Sequence, residues 1–291
     1  MSAEASPVRI VPAATLDDDR RTELFNLVYS DYDVPMRLDA AALREHVRMH
    51  DVDLDASVVA LSDGTPAGIA LLALRGERAW IAGMGVAPQA RRTGLGRALM
   101  HDAIAGAARG GAREVVLEVL QQNERARRLY ESMGFRLTRA LEVWRLDAVL
   151  AADGAGEIPA ADARAWIAAH RDRPEPWQLG DASVDRIASP ERPLVGLEAR
   201  AGGRRCGAAI GVVTPQRASL LQVAFTPEAG ATAARALCAA LRSRAPALRA
   251  LNVPAGSLVA EALRAAGATL EVAQVEMSLA LPPAPSGAGA R

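Results

Sequence analysis

Lysine is absent from this chain of 291 residues, and all 34 of its basic side chains are arginine. Together with an excess of alanine, this is the composition that a GC-rich bacterial genome produces. Aromatic residues are scarce as well: four tryptophans, three tyrosines and three phenylalanines. Only two cysteines occur, Cys206 and Cys238, one on an expected strand and one on an expected helix. They read as small core residues, not as a disulfide or a metal pair, and no metal is expected. No apolar run approaches the roughly 20 residues that a membrane span needs. The first residues lack a basic stretch followed by an apolar core, so a cytoplasmic protein with no membrane partner is expected. Thirty-four acidic side chains balance the arginines to a net charge of zero, which removes any bulk attraction for nucleic acid.

What is present is apolar material, at 50% of residues. That is enough for real cores, and the length favours two domains. The most informative stretch begins with a strand pattern over residues 80–86 that stops at Pro88. It continues through Gln89-Ala90-Arg91-Arg92-Thr93-Gly94-Leu95-Gly96-Arg97 into a helical pattern with Leu99, Ala103 and Ala107 on one face. Free N–H groups at a helix start, glycines that admit a close backbone approach, and flanking arginines together suit a pyrophosphate. An anionic, nucleotide-like cofactor follows. The spacing Arg-x-x-Gly-x-Gly differs from both common dinucleotide and P-loop fingerprints.

Further along come a strand pattern over 115–120, then Asn123, then a helix over 124–133 carrying Tyr130, then Gly134-Phe135. This order, Arg-x-x-Gly-x-Gly, Leu-Glu-Val, Asn, Leu-Tyr, Gly-Phe, resembles the GNAT N-acetyltransferase superfamily over roughly residues 7–148. The resemblance implies acetyl-CoA as co-substrate and an amine as acceptor. With no lysine in the chain, self-acetylation of a lysine side chain is excluded.

The resemblance also implies roles. The strands before and after the cofactor turn splay apart, and the pantetheine arm lies between them, bonding to the backbone of Met84, Gly85 and Val86. Gly83 and Gly85 fit a bulge, or else relieve crowding. Arg91, Arg92, Thr93, Gly94, Leu95, Gly96 and Arg97 would receive the pyrophosphate, with one or two arginines turned to solvent instead. Asn123 and Tyr130, seven residues apart, can face the cofactor from one side of a helix. Tyr130, a phenol with an ordinary pKa of about 10, is the expected general acid. Glu118, a carboxylate in an apolar strand, is the expected base, with a salt bridge to a neighbouring arginine as the alternative. His46, His50 and His101 read as surface or packing residues. Tyr29 and Tyr32 form either an acceptor-pocket wall or ring packing at a helix connection.

Along the chain, residues 8–11 read as a strand, 16–30 and 40–49 as helices, and 57–61 with 67–74 as a hairpin. A closing pair of strands is expected at 135–139 and 141–146. An α/β (α+β) architecture follows, a mixed sheet with helices on both faces. Residues 149–163 read as a linker. The first half then reappears: Gly68 and Pro88 match Gly207 and Pro227, and Arg97-Ala98-Leu99 matches Arg235-Ala236-Leu237. The expected organisation is a catalytic domain over 1–148, a degenerate copy over 164–281 and a disordered tail over 282–291. The copy has no arginine in its cofactor turn and Leu263 in place of Tyr130. One cofactor per chain, a small-molecule amine acceptor and a monomer or homodimer are expected. The alternatives are a peptide or protein N-terminal acetyltransferase, or an acetyl-CoA sensor without turnover.

Overall fold

The structure is a computed structural model that describes residues 8–34, 36–151 and 153–282. Of the expected tail at 282–291, all but Pro282 lies outside them. The chain forms two compact units: residues 1–119, 123–138 and 276–291 make the first, and 120–122 with 139–275 the second.

In the first unit, β1 (Arg9–Pro12) is followed by helices α1 (Asp18–Val28) and α2 (Ala40–His50). Asp17 caps α1 by accepting the Arg20 N–H at 2.8 Å, and Asp39 caps α2 by accepting the Ala42 N–H at 2.7 Å. β2 (Val52–Ser62) and β3 (Thr65–Arg75) form the expected hairpin, and β4 (Arg78–Val86) extends the meander. After α3 (Leu95–Arg109), β5 (Glu114–Leu120) lies parallel to β4, and α4 (Glu124–Ser132) follows. The strand order is β1-β2-β3-β4-β5.

Side-chain alternation along β4 assigns the two faces. A Cβ on Gly85 would meet Val28 of α1, whereas Val86 approaches Gly96 of α3. Hence α1 and α3 cover opposite faces, and Ile69, Leu71 and Leu72 of β3 are fully buried between them.

β6 (Arg136–Leu146) is one continuous strand, where two short ones were expected. Arg139-Ala140-Leu141 contains no glycine, asparagine or proline to break the run. The strand starts in the first unit and runs on into the second, where it pairs antiparallel with the strand Leu248–Pro254.

The expected linker is also structured: β7 (Ala155–Ile158) pairs with β8, and α5 (Ala160–His170) starts inside it. Its alanine and glycine read as a spacer because nothing local shows the neighbouring strand. α6 (Asp181–Ile187), β8 (Leu194–Ala201), β9 (Arg204–Val213), β10 (Ala218–Phe225), α7 (Ala231–Arg242), β11 (Leu248–Pro254) and α8 (Leu258–Ala265) complete the second unit. Its order is β6-β11-β10-β9-β8-β7. Cys206 and Cys238 are buried there as free thiols, and burial pushes the Cys238 thiol up to about 12.

The last strand, β12 (Thr269–Ala280), ends in the first unit. There the Thr138 hydroxyl donates to Glu276 Oε1 at 2.9 Å, and the Leu281 N–H donates to the Arg113 carbonyl at 2.7 Å. The first unit is therefore closed by residues from the far end of the chain. A chain ending at Asp147 is expected to lose these bonds, worth about 1 kcal/mol each, along with part of the first core. Thermal unfolding of that truncated chain by circular dichroism should show no cooperative transition. A sharp transition near that of the full chain would contradict the expectation.

Candidate functional site

Parallel pairing of β4 with β5 covers only Arg78↔Glu114, Ala79↔Val115 and Trp80↔Val116. Beyond Trp80 the strands are no longer partners, which makes a fork. On its other side β4 stays paired with β3, with one irregularity: Leu71 faces Gly83 and Leu72 faces Ile81, leaving Ala82 as the extra residue. The bulge thus falls one residue before the expected glycines. Gly85 has a packing role instead, because a Cβ there would lie 2.6 Å from Val28 Cγ2. Only glycine lets α1 come this close.

All three tyrosines of the chain, Tyr29 at the end of α1, Tyr32 just beyond it and Tyr130 of α4, meet at this fork. Tyr29 stacks at a tilt on Phe25, 4.7 Å between centroids, and meets the edge of Tyr32 at 5.2 Å. The Met84 N–H donates to its hydroxyl oxygen at 3.0 Å, and the hydroxyl lies 3.3 Å from the Met84 carbonyl. Tyr130 is 7% exposed and packs on Phe135 at 5.9 Å. Burial, then the neighbouring Tyr32, pushes the Tyr130 phenol well above its ordinary range. Burial does the same for Tyr29, reinforced by Tyr130 and Tyr32. Both hydroxyls are proton donors at neutral pH.

Gly94, at φ 89°, is the N-cap residue of α3 and leaves its first turn without a side-chain cap. The next helical bonds run from the Arg97 and Ala98 N–H groups to the Gly94 carbonyl. Leu95 buries its side chain at 3% exposure, so only its backbone faces the turn, and Gly96 is half-buried. An uncapped helix start with its dipole intact is an anion site by construction. The three arginines around it differ. Arg92 is exposed at φ 67°, and Arg97 is exposed with one bond to the Ser132 hydroxyl at 2.7 Å. Arg91 holds Asp31 through two bonds of 2.6 Å and donates from Nε to the Val86 carbonyl at 3.0 Å. This pairing holds the Asp31 carboxyl below its ordinary range. The Arg91 guanidinium is therefore tied to the end of α1, away from the anion role expected of it. The Thr93 hydroxyl is likewise turned inward, donating to the Ala90 carbonyl at 2.8 Å.

Asn123 serves its own helix, since its Oδ1 caps α4 by accepting the Ala126 N–H at 3.1 Å. Glu118, two residues past the last rung on β5, accepts the Trp80 indole N–H at 2.6 Å. Sequence does not single out Trp80, His46 and His50 for this place; the rings of the two histidines lie 6.0 Å and 5.4 Å from the indole. A signal exists in the shared helical face of His46 and His50, at i and i+4. His101 sits on the surface beside Asp102.

The second unit repeats the fork. β10 pairs with β11 only over Ala218↔Leu248, Ser219↔Arg249 and Leu220↔Ala250, with a bulge at Leu221. Here the two prongs are bridged from within by the turn Trp177–Leu179. Gln222 on β10 donates to the Leu179 carbonyl at 2.7 Å, and Asn252 on β11 donates to Gln178 Oε1 at 3.0 Å. Asn252 holds the place on β11 that Glu118 holds on β5.

Residues 19–135 match the Acetyltransferase (GNAT) family. The match spans the elements that build the fork, from α1 to α4. Among solved structures, a GCN5-related N-acetyltransferase from Sphaerobacter thermophilus is 18% identical with a TM-score of 0.71, covering 95% of this chain and 96% of the other. A tandem GNAT protein from the clavulanic acid biosynthesis pathway is 17% identical at 0.65, covering 96% of this chain and 100% of its own. A GCN5-related N-acetyltransferase from Kribbella flavida is 16% identical at 0.56, covering 95% and 72%. These likenesses establish the fold over both units. No curated protein matches the chain in sequence. Among the described residues there is no metal-binding cluster, and no helix is long and apolar enough to cross a membrane.

GNAT proteins use acetyl-CoA, and the uncapped start of α3 is the expected seat of its pyrophosphate. Gly94→Trp places a large side chain at a backbone position that favours glycine and fills the turn. Calorimetry is expected to find one acetyl-CoA per wild-type chain and none for the variant. Two sites in the wild type, or equal affinity in the variant, would speak against it.

Proposed function

We propose that the chain transfers an acetyl group from acetyl-CoA to the primary amine of a small molecule, with both substrates held together in the first unit. The observation that carries this reading is the fork: a β4 edge released from β5, an uncapped helix start beyond it and a buried tyrosine beside it. The co-substrate supplies the activated thioester; the protein supplies position, charge and protons.

Backbone N–H groups of 94–96 and the exposed guanidiniums of Arg92 and Arg97 would hold the pyrophosphate. The edge of β4 would take the extended arm in the manner of an added strand. At Met84 such an arm meets Tyr29, whose hydroxyl must yield its contacts or relay them; at Val86 the carbonyl already accepts from Arg91. Gly85 contributes by admitting α1 rather than by offering a free edge of its own.

Tyr130 is the acid of this reading. Because its proton is firmly held, the phenol acts by donating a hydrogen bond to negative charge as it develops on the leaving sulfur, and full transfer completes only late. Glu118 is the base, accepting a proton from the attacking amine directly or through water. The acceptor would enter on the side of α1 and α2, past Tyr32 and Tyr29. The bridged fork of the second unit lacks counterparts of Arg91 and Arg92, the glycine turn and the tyrosine, and this supports a scaffold role for it.

Tyr130→Phe keeps the ring against Phe135 and removes the donor. Turnover is expected to fall roughly 10²-fold with acetyl-CoA affinity nearly unchanged. CoA release across a panel of primary amines, with binding measured separately, makes the test. Full turnover in the variant would leave Tyr130 as packing alone, and no CoA release with any amine would favour a sensor.

A further inference from the structure

We propose that Trp80 is a positioning residue for the Glu118 carboxylate, an indole N–H fixed at the vertex of the fork that aims the base at the acceptor side. The inference rests on the reading of Glu118 as base. Its support is geometric. Trp80 is the last β4 residue still paired with β5, opposite Val116, so its backbone is held on both sides. Glu118 stands two residues further on β5, on the same face as Val116, where pairing with β4 has ended. The 2.6 Å bond from Trp80 Nε1 to Glu118 Oε2 ties it back to the closed end.

The indole is itself restrained. It is 3% exposed, and α2 packs two imidazoles against it: His50 edge-on at 5.4 Å and 78°, and His46 at 6.0 Å and 50°. Those two rings meet each other at 4.9 Å. Burial holds the His46 imidazole below the ordinary histidine range, so it is neutral at neutral pH. Its Nε2 is buried without a hydrogen-bond partner among the described residues, so His46 acts on Trp80 as a wall.

An indole suits this role better than an arginine. It donates one hydrogen bond in one direction and carries no charge, so it orients the carboxylate without the ion pair that would hold the carboxylate firmly in its anionic form and make it a poor base. The titratable groups packed about the fork are His46 and His50 from α2, Tyr29 from the end of α1, Tyr32 just beyond it, and Tyr130 from α4.

The test uses the full chain and needs no acceptor for its first part. Carbon-13 NMR follows the Glu118 carboxyl, assigned by its loss in Glu118→Gln, and nitrogen-15 NMR follows the Trp80 indole N–H. In the wild type the indole proton is expected downfield and to move with the Glu118 titration. In Glu118→Gln that movement should vanish while any movement from His46 or His50 persists. Trp80→Phe should move the carboxyl midpoint upward, because the charged form has lost a donor. An indole proton indifferent to Glu118, or an unmoved carboxyl midpoint in Trp80→Phe, overturns the proposal.

The second part uses a primary amine that releases CoA in the panel. Trp80→Phe should lower kcat/KM for that amine about 10-fold with the KM for acetyl-CoA unchanged, and should add nothing further in a Glu118→Gln background. If Glu118→Gln leaves the acid limb of the pH profile in place, the base reading fails. If it abolishes that limb while Trp80→Phe changes neither rate nor limb, only the Trp80 proposal fails. Should Trp80→Phe not fold, the indole titration of the wild type still decides.

Discussion

The structure of the first unit depends on one interrupted interaction, the parallel pairing of β4 with β5. Three rungs are formed and then pairing stops. A sheet that loses its ladder exposes backbone donors and acceptors, and such groups must find partners elsewhere. Here Tyr29 serves Met84 and Arg91 serves the Val86 carbonyl. The open edge is thus both the feature that can accept a ligand and the feature that the end of α1 must stabilise when no ligand is there. Gly85 follows from the same constraint, since any side chain there would push α1 away from the edge it covers.

The second unit carries the same fork with different partners. It keeps three parallel rungs and the bulge, so the backbone geometry of the duplication persists. The two prongs are instead joined through side-chain amides to a turn of the unit's own chain. These contacts tie both prongs to the turn at 177–179. Residues 229–234 at the start of α7 hold no arginine, and Gly230 is the N-cap. The two forks differ most plainly where Glu118 of β5 is replaced by Asn252 of β11.

The edges of the units show how far connectivity can depart from a reading by halves. β6 begins among the residues of the first unit and runs on into the second, and β12 begins in the second and ends in the first. Each unit is completed by a strand from beyond the boundary that composition suggests. A strand is a local pattern, but its partner is a long-range choice, made where an apolar face and a free ladder coincide. Nothing in residues 136–146 names that partner.

Most of the elements were legible in the sequence. Apolar period placed α1, α2, α4 and the meander near their observed bounds, although β2 begins at Val52, ahead of the 57–61 pattern. The Arg-x-x-Gly-x-Gly turn was legible too: glycine at φ 89° and an uncapped helix start are properties of a few adjacent residues. Tertiary structure alone decided which groups meet. It bound Arg91 to Asp31 across 60 residues, gave Asn123 to a helix cap, brought Tyr29 and Tyr32 to Tyr130, and set Trp80 against Glu118. Those contacts depend on where β4 leaves β5, a long-range feature that no short stretch of sequence contains.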